Sequence, residues 1–148
     1  MRQVLQEKEI KTLLIEAGQR QYSIKRLKEK VISLQSEKQY LYSLQSICCD
    51  GMPKSNSKKD KTANNAVKLL EIEQIINEML LKLKKYIVEQ NKIEMLLSQT
   101  LSEEEYRFVK LRYFDRKSFR CISKELFCSR STCYAIQQRI LKKLKAVL

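Results

Sequence analysis

Apolar residues recur every three or four positions through the first third of this chain. Between about Leu5 and Cys48 one heptad seam runs Ile10, Leu13, Ala17, Arg20, Ile24, Leu27, Val31, Leu34, Lys38 and Leu41. Only Arg20 and Lys38 break its apolar character, and Lys, Glu, Gln and Ser fill most of the positions around it. This spacing lines up one stripe of a helix, as in a coiled coil or a long helical hairpin. Gly18 and Arg20 mark a weak point, where the helix is expected to bend or begin again. A second seam follows from about Thr62 to Ser98: Leu69, Ile72, Ile76, Met79, Leu83, Tyr86, Gln90, Ile93 and Leu97. Between the two seams, Asp50 to Lys61 collects the only proline, a glycine, small polar residues and lysines. A loop is therefore expected at about 49–62, either a solvated linker or a basic loop that also touches phosphate. Two long amphipathic helices joined in this way read as an antiparallel hairpin. Each stripe is narrow enough to leave apolar surface for another chain, so a homo-oligomer is expected, with a dimer favoured.

The texture changes near residue 100. Ser102-Glu103-Glu104-Glu105 has the form of a capping box, with Ser102 as N-cap, Glu105 at N3 and carboxylates near the positive helix end. The helix that follows carries Tyr106, Val109, Leu111 and Tyr113. Ser118 is a second N-cap, opening a helix from Phe119 to Leu126 with Ile122 and Leu126 on one face. Phe127-Cys128 makes a tight connection to Ser129, a third N-cap. The last helix is expected to bury Cys133, Ile136, Ile140, Leu141 and Leu144. Two regions result: 1–99, a helical hairpin for oligomerisation, and 100–148, a small three-helix domain expected to hold its fold when cut free of residues 1–98.

Composition narrows the class. The 148 residues include two glycines, one proline, no tryptophan and no histidine. So few breakers argue against a β-rich architecture, which needs them at its turns, and the expected fold class is all-α. Without histidine there is no Ser-His or Cys-His nucleophile, no His-containing zinc site and no imidazole acid–base chemistry. Two glycines cannot build a dinucleotide-binding or phosphate-binding loop. No enzyme, cofactor or metal is expected. The five cysteines include Cys121, Cys128 and Cys133, whose C-x6-C-x4-C spacing matches no usual zinc pattern. The vicinal Cys48-Cys49 is a poor site too, so the thiols read as structural or incidental, in a reducing interior. No run reaches the roughly 18 apolar residues of a membrane span, and the segment Met1 to Lys8 lacks the apolar stretch of a signal peptide. No membrane and a cytoplasmic location are expected.

Charge then points to a partner. Lys and Arg total 30 against 17 Asp and Glu, a net +13, which suits a polyanion. Three short helices with this spacing describe a helix-turn-helix for double-stranded DNA. Ser129, Arg130, Ser131 and Thr132 open its last helix, beside backbone NH groups that can seat a phosphate. Gln138 and Arg139 lie on the outward side. Tyr134 is outward as well, to meet either the groove or the neighbouring helix face. Lys142 and Lys143 suit the flanking backbone, and Arg120 and Lys124 place further cations on the preceding helix.

The same residues carry a resemblance. Leu101 to Tyr113 is similar to the opening of a sigma-70 region 4-like helix-turn-helix, Ser118 to Leu126 to its second helix, and Ser129 to Leu144 to its recognition helix. With the Cys49-Asp-Gly-Met-Pro53 loop between two long helices upstream, the whole chain resembles the phage and prophage transcriptional regulators of the ArpU/RinA type. That resemblance implies a sequence-specific DNA-binding transcription factor in a bacterial host cell. Ser131, Tyr134 and Ala135 depart from the acidic residue, arginine and glutamine common in sigma region 4. Phe127 stands where glycine is frequent, so the turn is expected to take another geometry. The alternatives are a sigma-like factor acting mainly through RNA polymerase, and a coiled-coil adaptor that meets acidic protein.

Overall fold

The computed structural model describes residues 5–47 and 57–148, with side chains for 5–45 and 63–148. Among the described residues there are five α-helices and no strand, so the fold is all-α. Helix α1 runs Glu7–Ile47 and α2 runs Ser57–Thr100. Helix α3, Glu103–Val109, continues into one π-helical turn, Lys110–Phe114; α4 is Phe119–Glu125 and α5 is Arg130–Val147. No described helix is long and apolar enough to cross a membrane. Two corrections concern the long helices. Helix α1 is unbroken through Gly18 and Arg20, and α2 begins at Ser57, inside the stretch expected to be loop. Residues 48–56, with Cys48, Cys49 and Pro53, lie outside the described residues.

The chain divides into two compact units, residues 24–86 and residues 1–23 with 87–148. In the first, Val31 and Leu41 of α1 pack with Leu69, Ile72 and Ile76 of α2, flanked by Leu34, Leu44 and Met79. All but Leu44 are expected seam residues of the two helices. Lys38, one of the two polar positions of the α1 seam, pairs with Glu73 at 3.0 Å. The same carboxylate accepts from the Tyr42 hydroxyl at 3.1 Å. These two donors hold the Glu73 carboxyl below its ordinary range, the Lys38 bond first. All three groups stand at the surface, where such a pair fixes register more than it adds stability.

The second unit departs from the division expected at residue 100. The first turns of α1 and the last turns of α2 are part of the same core as α3 to α5. Ile10, Leu14, Leu97 and Leu101 pack with Phe108, Val109, Leu111, Tyr113, Ile122, Cys133, Ile136, Ile140, Leu141 and Leu144. Because α1 here meets α3–α5 as well as α2, its buried face turns: Leu14 is buried and Leu13 is exposed, the reverse of the expected seam. Gly18 explains why the helix needs no bend. A Cβ there would lie 2.2 Å from the Tyr113 carbonyl oxygen, so the glycine lets α1 lie directly on the backbone of the π turn. A fragment of residues 99–148 would lose Ile10, Leu14 and Leu97 from its core, and independent folding is no longer expected of it. At the polar seam positions Arg20 pairs with Glu89 at 3.3 Å and Gln90 is buried, donating to Glu94 at 3.3 Å.

Candidate nucleic-acid interface

Three serines set the short helices. Ser102, Ser118 and Ser129 each hold an extended backbone, and their hydroxyls accept from the backbone NH of Glu105, Cys121 and Thr132. Each cap satisfies one of the NH groups that a helix start leaves open. The second half of the expected capping box is absent. Instead of reaching back to Ser102, the Glu105 carboxylate is buried and accepts from Lys143 Nζ of α5 at 2.7 Å. Its other oxygen is buried with no partner among the described residues. Lys143 therefore ties α5 to α3, and its place among the phosphate-facing lysines is corrected accordingly.

Between α4 and α5 the chain turns sharply at Phe127, whose φ is 53°. The expected departure from a left-handed turn does not occur: the aromatic residue adopts the conformation that glycine favours, at a cost of about 1–2 kcal/mol. Its side chain is 95% exposed, so packing offsets none of that strain. The NH of Cys128 closes the turn on the Ser123 carbonyl at 3.0 Å.

Helix α5 buries Cys133, Ile136, Ile140, Leu141 and Leu144, the expected set. On its outward side Ser131, Tyr134, Gln138, Lys142 and Lys145 recur at three and four residues, one line along the helix, and all are exposed. Arg130, Thr132 and Arg139 are exposed beside it, as are Arg120 and Lys124 on α4 and Ser129 at the turn. Residues 118–148 thus carry seven cations against one carboxylate, Glu125, and Glu125 is paired with Lys117. All the expected contact residues fall on α4, the turn and α5. Three of the hydroxyls are partly committed to one another: Ser129 Oγ lies 2.8 Å from Thr132 Oγ1 and 2.9 Å from Ser131 Oγ.

Aromatic stacking shapes the middle of this face. Tyr134 lies on the Phe119 ring at 4.4 Å with 21° between planes. The Arg112 guanidinium lies 4.4 Å from the same ring, and its Nη1 donates to the Lys117 carbonyl at 3.0 Å. Tyr134 therefore packs on its neighbour and still presents about half of its surface. Arg112 is on the π turn, and its contacts with Phe119 and Lys117 are not foreseen from the sequence. Below the face, Tyr113 accepts from Gln137 at 3.1 Å, and burial raises its phenol above the ordinary range. Cys133 lies 3.4 Å from Cys128, and burial first, then that neighbour, pushes its thiol up to about 11. No group of His, Cys, Asp and Glu among the described residues could hold a metal.

Residues 7–146 match the family described as protein of unknown function, DUF722. The chain belongs to this family. The match spans both long helices and all three short ones. No curated protein and no solved structure matches the chain.

Proposed function

We propose that the chain is a sequence-specific DNA-binding regulator of transcription, of the ArpU/RinA type found in phages and prophages. In this reading α4, the Phe127 turn and α5 form a sigma-70 region 4-like helix-turn-helix, and α5 enters the major groove. The observation that carries it is the outward face of α5 and α4. Its only carboxylate is already paired, its cations other than Lys143 are exposed and outside the ion pairs, and hydroxyls crowd the capped, positive end of an 18-residue helix. Such a surface suits phosphate at its edges and base edges at its centre. In this reading Arg130 bonds a guanine bidentately, and Arg139, Lys142, Lys145, Arg120 and Lys124 meet the phosphate backbone. The protein acts as a dimer on two half-sites, about 34–36 Å apart if one helical turn separates them.

One feature favours the second reading, a sigma-like factor working through RNA polymerase. Beside the protruding Phe127 lies an open cleft lined by Ser102, Glu103, Glu104, Arg107, Glu125 and Leu126. Glu103 and Glu104 beside an exposed aromatic suit a basic protein surface better than DNA. Selection of bound fragments from the source genome, without polymerase, separates the two. With the selected site in hand, Arg130→Ala should cost about 1–3 kcal/mol on it and narrow the gap to scrambled duplex. Lys142→Ala should weaken both duplexes by a similar, smaller factor. Equal losses on both duplexes for Arg130→Ala would make it a phosphate anchor and displace the reading surface.

A further inference from the structure

Helix α2 carries a second pattern on the side opposite its buried seam. Val67, Gln74, Leu81, Val88 and Met95 recur every seven residues, and all five are exposed. Leu81 is 71% exposed and Met95 63%. Beside this column runs another heptad column, Glu71, Glu78, Lys85 and Lys92, also exposed. None of these four takes part in an ion pair among the described residues. A helix whose outer face meets only water has no reason to repeat large apolar residues at heptad spacing with a sorted charge column alongside.

The order of the charges selects the partner. Two copies of α2 laid parallel would set Glu against Glu and Lys against Lys. Laid antiparallel about a centre between Leu81 and Lys82, they set Glu71 against Lys92 and Glu78 against Lys85, each pair occurring twice. The same operation brings Val67 toward Met95, Gln74 toward Val88, and the two Leu81 side chains together. The surface is self-complementary under a two-fold axis, which closes a dimer and leaves no free copy of the interface.

We propose that this outer face of α2 is where two copies of the chain associate, with their α2 helices antiparallel. The inference deepens the dimer in the reading above but stands independently of DNA binding. It is tested by sedimentation of the full chain over a range of concentrations. Glu71→Lys/Glu78→Lys and Lys85→Glu/Lys92→Glu each turn all four attractions into repulsions. Each double variant should raise the dimer dissociation constant roughly a hundredfold, from a few tenths of a kcal/mol per exposed pair. An equimolar mixture of the two should dimerise again. The quadruple variant should dimerise alone as well as wild type does, yet fail to mix with wild type. All the changed residues are exposed, so helicity should hold, and any fall in Tm should match the lost association. A monomeric wild type, or double variants that dimerise unchanged, would overturn the proposal. Duplex binding by such a protein would still leave the DNA reading standing, whereas an α2 dimer that binds no duplex would remove that reading alone.

Discussion

Gly18→Ala asks whether the long helix and the basic domain are truly built into one core. On helix propensity alone the change should help, since alanine exceeds glycine by about 1 kcal/mol in a helix interior. Its Cβ, however, would sit 2.2 Å from the Tyr113 carbonyl oxygen, 3.0 Å from the carbonyl carbon and 3.2 Å from the Phe114 Cα. All three are backbone atoms of the π turn and cannot rotate aside. Either α1 or the turn must move, and overpacking of this kind costs about 1–3 kcal/mol. Rigid backbone on both sides places the cost at the upper end. Set against the propensity gain, a net loss of about 2 kcal/mol is expected. For a chain of this size that lowers Tm by roughly 4–8 °C. Gln19→Ala, one position along and exposed, is the control and should be neutral or slightly stabilising. Thermal unfolding followed by circular dichroism reads both. A Gly18→Ala protein that melts at or above wild type would show that α1 does not lie on the turn.

Three further outcomes follow from single residues. Phe127→Gly should stabilise by about 1 kcal/mol, because it relieves the left-handed φ and removes no packing; a lower Tm would show that the ring is packed. Lys143→Ala should cost about 1–2 kcal/mol by leaving the buried Glu105 carboxylate without its cation, discounted because the lysine is half-exposed. Lys142→Ala should leave the unfolding free energy within about 0.5 kcal/mol of wild type, and equal effects of the two would refute the assignment of the Glu105 pair. With an alkylating reagent at pH 8, peptide mapping should find Cys121 modified well before Cys133. Cys121 is exposed, whereas Cys133 is buried and stays a thiol until pH approaches about 11. The reverse order would contradict the packing of α5.

What could be read from the sequence were features whose cause is local. The three serine caps depend on one residue and the NH groups just beyond it, and all three sit where the sequence placed them. The buried stripe of α5 follows from its own periodicity. The seams of α1 and α2 were legible wherever each helix faces only the other. The pattern failed where a third partner enters. Leu14 replaces Leu13 because α1 also meets α3–α5. Gly18 looked like a break because a missing side chain gives no hint of the backbone that fills its place. Glu105 looked like half of a capping box, since nothing nearby in sequence announces a lysine 38 residues away. The π turn was hidden as well: Leu111 and Tyr113 are both buried within it, and no local residue signals the change of helical pitch. The exposed contact residues were legible as exposed because the buried residues of α4 and α5 fix the remainder. Their ligand remains the subject of the proposal.

That proposal meets its most direct test in the salt dependence of duplex binding by the full chain without polymerase. Twelve cations lie between Arg107 and Lys145, and Lys117 and Lys143 are held by Glu125 and Glu105. If about four to six of the rest reach phosphate in each subunit, log K should fall with log salt at a slope of roughly −4 to −5 per subunit. Titration of a long labelled duplex at four or five salt concentrations measures it. A slope in that range, made shallower by about 1 per subunit in Lys142→Ala, is the predicted result. A flat slope, or no binding at low salt, would contradict the account.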